Sequence, residues 1–167
     1  LQKTAVHNIY NNKYSGRLAI LSGGNMNDNF FSDRYPEGLP ATVDVDKYQN
    51  VVEVFNKSVK KFADRPAFTA LGKTLTYADV DRLSADFAAY LQNDTNLQKG
   101  DRIAVQLPNL LQYPVVVFGA MRAGLIVVNT NPLYTEREME HQFNDSGAKA
   151  LVVLAQMAGK ADRVVPK

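Results

Sequence analysis

The feature that most constrains this chain is the alternation of short apolar runs with helix-length stretches between Arg102 and Leu154. Arg102–Leu107 holds the run Ile103-Ala104-Val105, Leu125–Val128 is apolar throughout, and Ala150–Leu154 is apolar again. A strand with one wet face would alternate; runs like these read as strands buried on both faces. The first intervening helix has two open starting points. Either Asn109 caps it, with Pro114 in its first turns, or it begins at Pro114, where a missing N–H costs nothing. In both cases it runs to Ala123, and Gly124 suits the residue after a helix end. The second helix opens on a capping box of Thr135 with Glu138, buries Met139 and Phe143, and ends at Gly147. Two consecutive crossover units predict an α/β fold with a parallel sheet and crossover helices.

Upstream, Val51, Val52, Phe55, Val59 and Phe62 recur at spacings of three and four, which predicts an amphipathic helix over Tyr48–Phe62, with Pro66 closing the segment. Ala67–Thr76 reads as two short strands around Leu71-Gly72-Lys73, with Gly72 free to take positive φ. Thr76 with Asp79 forms another capping box. The helix it opens runs to about Gln92 and carries the stripe Val80, Leu83, Phe87 and Leu91. Before all this, Pro36, Gly38 and Pro40 mark residues 26–47 as an extended arm.

Residues 1–25 read differently. They are rich in asparagine, and their longest apolar run, Leu18–Leu21, is too short for a membrane span or a signal-peptide core. An organellar transit peptide would be richer in arginine and serine. The better reading is an added or upstream leader, with Met26 opening the ordinary protein. Ser22-Gly23-Gly24-Asn25 can be encoded by the purine-rich run of a bacterial ribosome-binding site. The domain organisation expected is therefore leader 1–25, arm 26–47 and one incomplete domain 48–167.

Charge excludes some functions. The formal net charge is +2, yet residues 1–27 hold Lys3, Lys13 and Arg17 and no acid, so the remainder carries 16 basic and 17 acidic residues. Such a body offers no basic surface for nucleic acid. No cysteine is present, and His7 and His141 lack ligand-spaced neighbours, so neither a disulfide framework nor a metal site is expected.

Ligands of parallel sheets bind beyond the carboxyl ends of the strands. Those ends are Leu107-Pro108-Asn109, Asn129–Tyr134 and Ala155–Gly159. Asn129–Thr135 is the most suggestive, because it leads into a helix N-terminus that favours an anion. Asn and Pro are also ordinary turn residues, so a plain connection stands beside that reading. Asp79, Asp81 and Asp86 have no partner placed for acid–base work and read as a solvated face, as do Lys57, Lys60 and Lys61. His141 reads as helix surface. No catalytic residue is assigned.

Taken together, these segments resemble the adenylate-forming acyl-CoA synthetase superfamily. Leu75-Thr76-Tyr77-Ala78-Asp79-Val80 is similar to its first core motif. Arg122-Ala123-Gly124 with Asn131-Pro132-Leu133-Tyr134-Thr135-Glu136-Arg137-Glu138 is similar to its second. Asp33–Pro36, Leu107–Pro114 and Asn144–Ala148 resemble bacterial long-chain fatty acid–CoA ligases within it. The resemblance implies the start of a large N-terminal domain and a two-step reaction using ATP, Mg²⁺ and CoA on a long-chain fatty acid. The phosphate loop, metal ligand and lysine of that chemistry are absent here, so the chain alone is expected to be inactive. The resemblance carries over part of a CoA nucleotide site: Asn131, Pro132, Leu133, Lys160 and Arg163. It also implies a cytoplasmic enzyme with peripheral contact to the inner membrane face, and a homodimer contact through Phe30, Phe31 and Tyr35. Aryl-CoA ligases and peptide-synthetase adenylation domains share these motifs, and a non-enzymatic α/β binding module is the alternative of another class.

Overall fold

A computed structural model of the protein describes residues 36–39 and 44–165. The leader 1–25 and the arm residues Phe30, Phe31 and Tyr35 lie outside the described residues. The chain divides between Lys47 and Tyr48 into two units. In the first, Pro36–Leu39 and Asp44–Lys47 form turns, closed by N–H bonds from Leu39 to the Pro36 carbonyl and from Lys47 to that of Asp44. The second holds all the helices and strands among the described residues.

Helix α1 spans Val51–Phe62. It starts later than the apolar spacing predicts because Asn50 caps it: the Asn50 side chain accepts the Glu53 N–H at 2.9 Å. Phe55 is its buried residue. Strands β1 (Pro66–Ala70) and β2 (Lys73–Thr76) form an antiparallel hairpin. Pro66 therefore opens a strand, a position where its missing N–H does no harm. The turn is Leu71-Gly72, with φ of 50° and 74°. Two positive φ values make the mirror-image turn that matches strand twist, and the sequence reading anticipated only the glycine. Helix α2 (Tyr77–Asn93) has the predicted capping box, with Asp79 N–H on Thr76 Oγ1 at 3.1 Å and Thr76 N–H on Asp79 Oδ2 at 3.0 Å.

The remaining elements are β3 (Arg102–Gln106), α3 (Gln112–Arg122), β4 (Ile126–Asn129), α4 (Glu136–Ser146), β5 (Ala150–Val153) and, after a short 3₁₀ turn, the single-turn helix α5 (Ala158–Ala161). Neither predicted start of α3 holds. Leu111 precedes the helix without a side-chain cap, and Pro114 falls in the first turn, where backbone N–H groups have no intrahelical acceptor. β4 begins one residue later than predicted because Leu125 is still bonded back to the Ala120 carbonyl at 2.9 Å.

The sheet is parallel, in the order β4-β3-β5. Ile103 lies beside Val127 and Ala150, and Val105 beside Asn129 and Val152. On one face Ile103, Val105 and Leu107 pack with Leu91, Val116, Ala120 and Leu125 into the core. Burying each of these leucine, isoleucine or valine side chains contributes roughly 1.5–3 kcal/mol. Successive residues of a strand face opposite ways, and Ala104 and Gln106 on the other face are also fully buried. The chain steps from β3 out to β4 and then back past β3 to β5. Right-handed crossovers thus place α3 and α4 on opposite faces, and Met139 of α4 is wholly buried. Cover on both faces is complete only at β3. β4 is an edge of this sheet, and its Ile126 is 48% exposed.

Candidate functional site at the carboxyl ends of the strands

The two parts of the second motif lie at opposite ends of β4. At the amino end, Arg122 closes α3 and ties three helices together. Its Nη1 donates to the Asp81 carbonyl at 2.7 Å and to the buried Ser84 hydroxyl at 2.9 Å. Its Nη2 donates to Asn56 Oδ1 at 2.8 Å and pairs with the Asp81 carboxylate. The guanidinium lies 5.1 Å from the centre of the Phe55 ring, which stacks on Phe118. Asp81 is therefore an ion-pair partner and Asp79 a helix cap. Of the three acids read as a solvated face, Asp86 alone fits that description, 70% exposed beside Arg82.

At the carboxyl end, side chains from four elements grip the last residue of β4 and the loop between β4 and α4. The Tyr113 hydroxyl donates to Asn129 Oδ1 at 2.8 Å, and Gln142 Nε2 to the Asn129 carbonyl at 3.0 Å. Gln106 Nε2 donates to the Asn131 carbonyl at 3.1 Å, and Lys160 Nζ to that of Tyr134. Within the loop, Asn131 Oδ1 accepts the Leu133 N–H at 2.9 Å and its carbonyl accepts the Tyr134 N–H at 3.1 Å. These bonds are the self-capping turn that asparagine favours. They leave Leu133 86% exposed at the tip, and Asn131 is exposed as well.

The five residues carried over from the resemblance are thus partly assembled. Asn131, Pro132 and Leu133 form one turn, and α5 is held against that loop through the bond from Lys160 to Tyr134. Arg163 reaches a different acceptor, Glu136 Oε1 at 2.7 Å, at the first residue of α4. Both cations are engaged by the chain's own groups.

The α4 N-terminus, which the sequence offers to an anion, carries its own. Glu138 accepts the Thr135 N–H at 2.7 Å, and Thr135 Oγ1 accepts the Glu138 N–H at 3.4 Å. The Thr135 N–H holds the Glu138 carboxyl below its ordinary range, helped by the Thr135 hydroxyl and, more weakly, by Lys160. Among the described residues no group of three or more His, Cys, Asp or Glu could hold a metal ion. His141 is exposed, as expected.

Sequence reasoning missed Gln106, Tyr113 and Gln142. One signal was available: Gln106 is a lone amide inside the apolar strand Ile103–Leu107, and a buried amide needs a partner.

The chain matches the AMP-binding enzyme family over residues 55–167. It is 51% identical over 135 residues to a long-chain-fatty-acid–CoA ligase of Escherichia coli O6:H1, a match covering 81% of this chain and 24% of that protein. It is 35% identical over 128 residues to a 4-coumarate–CoA ligase-like protein of Oryza sativa, covering 75% and 22%. Among solved structures it resembles VinN in complex with 3-methylaspartate, with a TM-score of 0.65 and 26% identity over 68% of this chain and 32% of that one. The chain spans about a quarter of the length of the curated relatives it matches. With the parallel sheet, both capping boxes and the two-part motif in place, the chain belongs to the AMP-binding enzyme family.

Proposed function

We propose that this chain is the N-terminal part of a ligase that activates long-chain fatty acids. Such an enzyme joins the fatty acid to ATP as an acyl-adenylate, releasing pyrophosphate with Mg²⁺, and then passes the acyl group to the CoA thiol. The observation that carries the reading is the 51% identity to a long-chain-fatty-acid–CoA ligase, against 35% to the coumarate-type relative. The metal, the ATP phosphates and the acyl chain are held by parts of the enzyme outside these residues, so the chain alone does no chemistry.

Its own contribution is an edge of the CoA nucleotide site. The Asn131-Pro132-Leu133 turn offers backbone and amide groups to the nucleotide, and Lys160 and Arg163, on exchanging Tyr134 and Glu136 for a ligand, supply positive charge suited to phosphate. The neutral turn and the two cations fit the anionic end of CoA. The same reading gives a cytoplasmic enzyme with peripheral contact to the inner membrane face and a dimer contact through Phe30, Phe31 and Tyr35. No helix among the described residues is long and apolar enough to cross a membrane.

The test is an acid-dependent ATP–pyrophosphate exchange assay on the complete gene product and on this chain. The complete product should exchange with palmitate and form its CoA thioester, while the 167-residue chain should show no exchange. Exchange with benzoate or coumarate in place of palmitate would move the substrate to aryl acids. No exchange with any acid would sink the ligase reading, and robust exchange by this chain would refute its incompleteness.

A further inference from the structure

We infer that Gln106 is a positioning residue, which holds the loop from Asn129 to Tyr134 in the shape that meets the CoA nucleotide and contributes nothing net to the stability of the fold. The inference rests on the CoA-site reading above. Gln106 ends the central strand between Val105 and Leu107 and is fully buried. Its Nε2 lies 3.1 Å from the Asn131 carbonyl oxygen, and that same oxygen accepts the Tyr134 N–H that closes the turn. The other end of the amide, Oε1, is buried with no hydrogen-bond partner. Flipping the amide would set Oε1 against a carbonyl oxygen, so the acceptor on the loop fixes the orientation.

A buried acceptor without a partner costs at least what one hydrogen bond contributes. The bond to Asn131 and the orphan Oε1 therefore offset one another, and an apolar side chain of similar volume would serve the core as well. The strand register does not need the amide either, because the Thr130 N–H already reaches the Val105 carbonyl at 3.0 Å. What glutamine adds over methionine is a directional grip on the Asn131 carbonyl. The same arrangement recurs from the opposite element. Gln142 of α4 donates Nε2 to the Asn129 carbonyl, and its Oε1 is likewise buried and unpaired. Two amides from two elements thus hold two carbonyls, one at the end of β4 and one in the loop after it, each leaving an oxygen unpaired behind it.

The test is Gln106→Met in this chain, read by thermal melting, amide hydrogen exchange and CoA-dependent amide shifts. Methionine removes the grip and the orphan acceptor together. The melting temperature should hold or rise, while exchange at Leu133 and Tyr134 quickens about five- to tenfold, the loss of one net hydrogen bond. The CoA-induced shifts of the loop should weaken by a similar factor, and Gln142→Met should act in the same direction. A fall in melting temperature with faster exchange throughout the core, or failure to fold, would show a structural role and overturn the inference. Unchanged exchange at Leu133 and Tyr134 would overturn it too. If wild type shows no CoA response while the variant loosens the loop alone, the grip stands and the CoA assignment falls.

Discussion

Arg122 and the Asn131–Leu133 turn belong to one motif yet sit at opposite ends of β4, and they use polarity in opposite ways. Around Arg122 both Nη groups have fixed acceptors on α1 or α2, and the side chain is only 16% exposed. At the turn, the backbone carbonyls are the gripped atoms, while Leu133 and Asn131 face outward. A saturated charge inside a packed helix layer serves folding. A turn whose backbone is fixed and whose Leu133 side chain points outward leaves a surface open to a ligand. The contrast assigns the motif's arginine to the scaffold and makes its loop the place to test for a ligand.

Substitutions at the two ends should then separate stability from ligand response. Arg122→Ala carries the largest expected effect, because it takes the ion-pair partner from Asp81 and the shared donor from the Asp81 carbonyl and Asn56 Oδ1. Breaking a fully buried pair costs roughly 3–5 kcal/mol; with Asp81 42% exposed, a loss of about 2–3 kcal/mol is expected in urea unfolding. Next comes Gly119→Ala, where a Cβ would lie 2.8 Å from Phe87 Cδ1 and 2.9 Å from the Ser84 carbonyl. Overpacking of this kind costs about 1–3 kcal/mol, outweighing the better helix propensity of alanine, and a melt that rises instead would show that α2 and α3 can part freely.

Thr135→Ala removes one N-cap and should cost about 1 kcal/mol, measured by the same unfolding. The caps also carry a pH signature. The hydroxyl and N–H of Thr76 hold Asp79 below its ordinary value of 3.8, and the N–H and hydroxyl of Thr135 hold Glu138 below 4.5. A carboxylate with a depressed folded value stabilises fully above its ordinary value, and the benefit fades as pH falls through the folded one. The cost of Thr135→Ala should therefore shrink below about pH 4.5 and be constant above it. Smallest of all, Leu133→Ser should leave stability within about 0.5 kcal/mol, as for an exposed residue away from special features. A larger loss would mean that the turn belongs to the scaffold after all.

Much of this was legible in the sequence because it is local. The capping boxes at Thr76 and Thr135, the end of α4 at Gly147 and the apolar strands were all readable in the sequence. Periodicity could not show that Asp81 meets Arg122 or that Lys160 meets Tyr134, since those pairs are far apart in the chain and are joined only by the crossovers. The start of α3 was misread because Pro114 is equally acceptable anywhere in a first turn. Leu71 at positive φ follows from the hairpin's two-residue length, a fact of pairing rather than of composition. The loop's carbonyl grips were hidden for a further reason: they use backbone atoms, which every residue possesses.

The division of the motif is tested most directly by titrating the ¹⁵N-labelled chain with CoA and following its amide shifts. The account predicts saturable shifts at Asn131, Leu133, Tyr134 and the α5 residues, with the amides of Gly119–Gly124 unmoved. Shifts centred on Arg122, or none at the turn at saturating CoA, would contradict it.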